Sequence, residues 1–118
     1  MAKRKHPEED LQIACNQMAL ILSKQMKFYW FHVPNGGNRS VTEAVKFKRM
    51  GVKAGVSDFI IMIPDRPWGC IELKAPGGSL SQKQKSFLEM ADSMGCPTAV
   101  VKSVDEFQDT IKKMLQRT

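Results

Sequence analysis

Disulfide chemistry is the first thing this sequence has too little material for. Its 118 residues hold three cysteines, an odd number with no C-x-x-C pair. Cys15, Cys70 and Cys96 each sit among apolar neighbours. That pattern argues against a disulfide framework and a zinc site, and it fits a reducing compartment such as the cytoplasm. Histidine is scarcer, with only His6 and His32, too far apart in sequence to read as paired ligands. Long apolar runs are missing as well. Met18 to Leu22 and Phe59 to Ile63 fall far short of the roughly 20 residues a membrane helix needs. The basic start, Met1 to Lys5, is not followed by the apolar stretch of a signal peptide. No repeat, low-complexity tract or long linker divides the chain. The expectation is therefore a basic arm over residues 1–6 and one domain over 7–118.

Against these absences stands an excess of positive charge. Eighteen basic residues face twelve acidic ones, a net charge of +6, which suits a polyanionic partner. The excess is local: Arg39, Lys46, Lys48, Arg49 and Lys53 share their stretch with one acid, Glu43.

Periodicity predicts eight elements in the order α-β-α-β-β-α-β-α, a mixed sheet with helices on its faces. A helix is expected over 7–27. Pro7 suits its first turn, Glu8, Glu9 and Asp10 favour its positive end, and Leu11, Ala14, Cys15, Met18, Ile21 and Leu22 form its buried stripe. A strand over 28–33 runs into the turn chemistry of Pro34-Asn35-Gly36-Gly37. Thr42 is the expected cap of a second helix to about Met50, with Lys46, Arg49 and Lys53 roughly on one side. Strands are expected over 58–63 and 69–74. Ser81 caps a helix to about Met94, with stripe Gln84, Phe87, Leu88, Ala91 and Met94. A strand over 98–102 leads to a capping box of Ser103 and Glu106 and a last helix, with stripe Val104, Phe107, Ile111, Met114 and Leu115.

Two carboxylates and a lysine carry the chemistry. Strand alternation places Glu72 and Lys74 on one face and Ile71 and Leu73 on the other. Asp58 opens the preceding strand of an expected antiparallel pair, so it can lie beside Glu72. Adjacent carboxylates repel unless a cation separates them. Mg²⁺ and Mn²⁺ prefer oxygen ligands and can polarise a phosphodiester. Lys74 can then serve the attacking water or the charge building on phosphorus. An isolated Glu-x-Lys is most often a surface ion pair; here the context differs. Glu8, or its neighbour Glu9, adjoins the buried stripe of the first helix, and Gln84 heads an apolar stripe where leucine would be ordinary. His32, Asn35, Gly36, Gly37, Arg39 and Ser40 form a glycine-containing polar segment suited to phosphate and sugar contacts. Lys46, Arg49 and Lys53 extend it.

These blocks, taken in order, resemble the VRR-NUC family, the virus-type replication-repair nucleases of the PD-(D/E)XK superfamily. The likeness runs from Glu8-Glu9-Asp10-Leu11-Gln12 through His32-Val33-Pro34-Asn35-Gly36-Gly37-Asn38-Arg39 and Lys53-Ala54-Gly55-Val56-Ser57-Asp58. It continues in Ile71-Glu72-Leu73-Lys74, Leu80-Ser81-Gln82-Lys83-Gln84 and Ser103-Val104-Asp105-Glu106. The resemblance implies a restriction-endonuclease-like α/β core. In it Glu8, Asp58, Glu72 and the carbonyl of Leu73 bind Mg²⁺ or Mn²⁺, Lys74 serves the water, and Gln84 supports the site. It further implies an endonuclease of DNA repair or recombination that leaves 5′-phosphate and 3′-hydroxyl ends. Small stand-alone relatives, often from phages, look like homodimeric Holliday-junction resolvases, so branched DNA and a second copy are the expected partners. Flap-cutting or nicking activity on the same fold, and a non-catalytic nucleic-acid-binding module, are the rival readings. One departure is plain: Ser57 stands where the family usually has proline, a change that bears on local geometry and supplies or removes no ligand.

Overall fold

A computed structural model describes residues 6–34 and 40–116. The expected basic arm at Lys3, Arg4 and Lys5 and the segment Asn35, Gly36, Gly37 and Arg39 lie outside the described residues. The order of elements agrees with the sequence reading: α1 (Pro7–Leu22), β1 (Tyr29–His32), α2 (Val41–Arg49), β2 (Phe59–Met62), β3 (Gly69–Leu73), α3 (Gln82–Ser93), β4 (Thr98–Val101) and α4 (Val104–Gln116). Among the described residues, no helix is long and apolar enough to cross a membrane.

The four strands form one sheet in chain order. β1, β2 and β3 pair antiparallel, with His32 opposite Phe59 and Phe59 opposite Ile71. β4 lies parallel to β3, with Glu72 opposite Val100, and α3 makes the crossover that a parallel pair requires. One sheet face carries Phe59, Ile61, Ile71 and Leu73. It packs with Cys15, Ala19 and Leu22 of α1 and Phe107, Ile111 and Met114 of α4 into a single core. The rings of Phe59 and Phe107 meet at its centre, 5.3 Å apart. Each of the larger apolar side chains buried there, Leu, Ile, Phe or Met, contributes about 1.5–3 kcal/mol relative to exposure. This core supports one side of the sheet and leaves Asp58, Glu72 and Lys74 at the end of the other.

Several boundaries differ from expectation. α1 stops at Leu22, not residue 27, because the amides of Gln25 and Met26 both turn back onto the Leu22 carbonyl. The turn they make delivers Phe28 to the core. Within α1, Ala19 is buried and Ile21 is 53% exposed, so the stripe lies one position away from its predicted edge. Ser40, not Thr42, caps α2 in a reciprocal box with Glu43. Met94 caps α3 and is exposed rather than packed. At α4, Ser103 accepts the Glu106 amide, but the Glu106 carboxylate takes the Lys102 amide in place of Ser103's own. The box is shifted by one residue on its return arm. The strand ends also recede, β1 to His32 and β2 to Met62. Asp65 holds a left-handed φ of 59° in the turn between β2 and β3, a conformation aspartate tolerates.

Candidate active site

Asp58 stands immediately before β2, where the ladder with β3 is running out. Its Oδ2 accepts the backbone amide of Leu73 at 2.7 Å. A carboxylate thus takes the place of a strand carbonyl, and the aspartate side chain is fixed against the strand that carries Glu72. The Asp58 carbonyl faces the other way, accepting the Val33 amide at 2.9 Å with His32 Nδ1 at 2.7 Å.

Glu72 is 2% exposed, an unusual position for a carboxylate without a full complement of donors. Gln84 Nε2 donates to its Oε2 at 3.2 Å. The Lys74 ammonium lies 3.9 Å from the same oxygen and 3.8 Å from Glu8 Oε1. Burial pushes the Glu72 carboxyl up to about 8, hydrogen bonding and charge from Asp58 push the same way, Lys74 pulls it down, and Glu8 adds a smaller upward push. Desolvation and a like-charged neighbour therefore outweigh one ammonium.

Glu8 and Glu9, the two acids the first helix offered, differ in reach. Glu8 extends from the first turn of α1 to Lys74, whereas Glu9 lies 4.0 Å from His6 Nδ1. The structure brings Glu8, Asp58, Glu72, Lys74 and Gln84 into one neighbourhood. Among the described residues, no three histidine, cysteine or acidic side chains stand close enough together to share an ion as they are placed; Lys74 sits between two of the carboxylates. The donor chemistry nevertheless suits a hard divalent cation. All the acids offer oxygen, and the most buried one holds its proton tightly, first through burial and then through the neighbouring Asp58.

Gln84 has a double role that its place in an apolar stripe did not reveal. Its backbone amide donates to the Ser81 hydroxyl oxygen at 3.2 Å, and its side-chain Oε1 accepts the Ser81 backbone amide at 2.8 Å. The cap of α3 thereby uses one end of the side chain and leaves the other for Glu72. Gly55 seats the loop before Asp58 on that same helix turn. With φ at +83°, its α-carbon lies so near the Lys83 carbonyl that a β-carbon would collide with it. Ser57, where proline was the family expectation, is wholly buried and donates to the Phe59 carbonyl at 3.3 Å. Asp58 still reaches Leu73, so the site's local geometry accommodates the serine.

The expected nucleic-acid contacts are more dispersed. Ser40 is engaged in capping α2. Lys46 and Arg49 line an open groove of about 600 Å³ with Val41, Thr42, Val45 and Met50, and none of the residues around Glu72 lines it. Lys53 follows the helix in an exposed loop.

Comparison with known proteins places this geometry in a family. No curated protein matches the chain. A solved structure described as a VRR-NUC domain protein is 32% identical, covers 94% of this chain and 89% of its own, and superposes with a TM-score of 0.70. The family model of the VRR-NUC domain matches residues 6–105, a span that takes in every residue gathered around Glu72. The chain therefore belongs to the VRR-NUC family, a nuclease-type domain on the restriction-endonuclease-like fold.

Proposed function

We propose that this protein is a metal-dependent endonuclease that hydrolyses DNA at branched structures, four-way junctions foremost, and acts as a homodimer. The observation that carries the reading is Glu72, a carboxyl buried beside Asp58 and answered by a single lysine. Such a pair is costly to ionise without further positive charge. Glu8, Asp58 and Glu72, with the Leu73 carbonyl, would hold Mg²⁺ or Mn²⁺, and the bound ion would polarise the phosphodiester and lower the pKa of a water.

The remaining work falls to the chain. Gln84 Nε2 keeps Glu72 Oε2 oriented, and the Leu73 amide does the same for Asp58. Lys74 Nζ serves the attacking water or stabilises charge on the phosphate oxygens as the water adds in line. The 3′-oxygen leaves, so the products carry 5′-phosphate and 3′-hydroxyl ends. Asn35, Gly36, Gly37, Arg39, Ser40, Lys46, Arg49 and Lys53 track the DNA backbone. A second copy supplies the second cut that a symmetric junction needs.

The test is cleavage of a labelled four-way junction, with duplex and flap controls, in Mg²⁺ or Mn²⁺. Paired cuts near the branch point are expected, absent from Asp58→Ala and Lys74→Ala. Cutting of flaps alone by a sedimenting monomer would overturn the junction and dimer assignments. Binding without cutting in either metal would leave a non-catalytic module.

A further inference from the structure

β1 supplies none of the acids of the site, yet it ends on one of them. His32 is the last residue of β1 and pairs with Phe59, the residue after Asp58. Its ring lies edge-on to the buried Phe59 ring, with centroids 6.0 Å apart. From there Nδ1 sits 2.7 Å from the Asp58 carbonyl oxygen, which also accepts the Val33 amide at 2.9 Å. The Val33 bond is an ordinary backbone bond between neighbouring strands. The His32 bond is additional, because a strand carbonyl needs only one donor.

A carbonyl can only accept, so the hydrogen in this contact belongs to Nδ1. When neutral, the ring is then held in the Nδ1–H tautomer. The same aspartate is gripped at its far end, where Oδ2 takes the Leu73 amide at 2.7 Å. Asp58 is thus fastened at its carbonyl from β1 and at its carboxylate from β3. The short β2 begins only at the next residue, which makes this the point where an unbraced chain would fray. A carboxylate displaced here would lose its relation to Glu72.

We propose that His32 is a positioning residue for Asp58, acting through Nδ1–H on the Asp58 carbonyl rather than through contact with DNA. The functional part of this rests on the reading of Asp58 as a metal-holding residue; the tautomer does not. Groups behind a ligand typically change metal affinity by about 10- to 100-fold when lost. His32→Phe keeps a ring against Phe59 and removes the donor. His32→Asn places an amide N–H near the position of Nδ1. His32→Gln extends its amide towards the position of Nε2.

The first measurement is ¹⁵N-resolved imidazole NMR of the metal-free protein, at a pH where the ring is neutral. The Nδ1–H tautomer is expected for His32. The Nε2–H tautomer would overturn the proposal whether or not the protein cuts DNA. The second is Mn²⁺ titration calorimetry, with melting curves run on each variant. His32→Phe and His32→Gln should bind Mn²⁺ about tenfold or more weakly while His32→Asn recovers most of the affinity. Where cleavage is measured, kcat should fall with KM nearly unchanged. Equal Mn²⁺ affinity in wild type and His32→Phe would end the positioning role, and a rise in KM alone would end it in favour of a DNA contact. Should the wild type bind no Mn²⁺, the metal reading of Asp58 fails, and with it the role proposed here; the tautomer measurement then reports only the bond.

Discussion

α2 and the strand pair β2–β3 carry charge in opposite ways. α2 has no buried residue, ends in Lys46, Lys48 and Arg49, and leaves Val41, Val45 and the following Met50 open to solvent. β3 is buried along its whole length and holds Glu72 near its end, with Lys74 directly after it, also buried. Charge on α2 costs nothing to hydrate, so it can be spread widely and used at a distance. Charge around Glu72 has been taken out of water, so every oxygen needs a partner and every removal leaves another group exposed to the loss. The exposed charge of α2 is therefore suited to acting on a polyanion at a distance, and the buried charge at the end of β3 to local chemistry.

Breaking the buried side should give the largest effect. Lys74→Ala removes the ammonium from between Glu8 and Glu72. Losing one such stabilising group typically costs about 10²–10³ in kcat, and junction cleavage in Mg²⁺ should fall by at least that much, with junction binding kept. Asp58→Ala should match it. A Lys74→Ala enzyme with near-normal kcat would show that the lysine serves only to offset Glu72.

Next comes the pH dependence of the metal-free fold. The Glu72 carboxyl is raised from 4.5 to about 8, first by burial. In the unfolded chain it gives up its proton earlier, so its contribution to stability is full below pH 4.5 and is lost as the pH climbs to about 8. The thermal midpoint without divalent ions should decline across that window. Glu72→Gln, which cannot ionise, should flatten the decline, and Mn²⁺ should raise the wild-type midpoint most at the alkaline end. An equally steep decline in Glu72→Gln would assign the slope to other groups.

Gly55 tests whether the loop before Asp58 is seated by its glycine. A side chain there meets a left-handed φ and the Lys83 carbonyl together, and strained backbone of this kind costs about 1–3 kcal/mol. Gly55→Ala should lower the midpoint in chemical denaturation accordingly and weaken cleavage through Gln84, whose amide lies beside the collision. Unchanged stability would mean the loop can lift from α3 freely.

Legibility in the sequence followed the same division. Helices and strands were readable because apolar periodicity is a local record of a shared core: Phe107, Ile111 and Met114 mark α4 directly. Glu72 and Lys74 were readable because alternation on β3 fixes their face. Three features were not. Ser81, three residues earlier, marks the capping half of Gln84's role, but nothing in the stripe shows that its Nε2 also reaches Glu72, twelve positions away. His32 looked like a strand-end residue suited to phosphate, because its bond to the Asp58 carbonyl spans 26 positions. The end of α1 at Leu22 depends on where Phe28 must go, and no glycine or proline signals it. Distant hydrogen bonds leave little pattern in sequence, whereas burial leaves a great deal.

The smallest effect should come from the exposed side. Lys46→Ala with Arg49→Ala removes two charges from a surface where nothing buried depends on them, so stability should move by no more than about 0.5 kcal/mol. If α2 tracks the DNA backbone, each lost phosphate contact should lower the salt dependence of junction affinity by about one unit of slope. Affinity should fall at low salt and converge with wild type at high salt, while kcat at saturating DNA stays unchanged. Lys74→Ala predicts the reverse pattern, kcat lost with the salt slope kept. A double variant on α2 that lost kcat would tie the two regions mechanically. An unaltered salt slope would instead detach α2 from the DNA and leave its open Val41, Val45 and Met50 as its main asset.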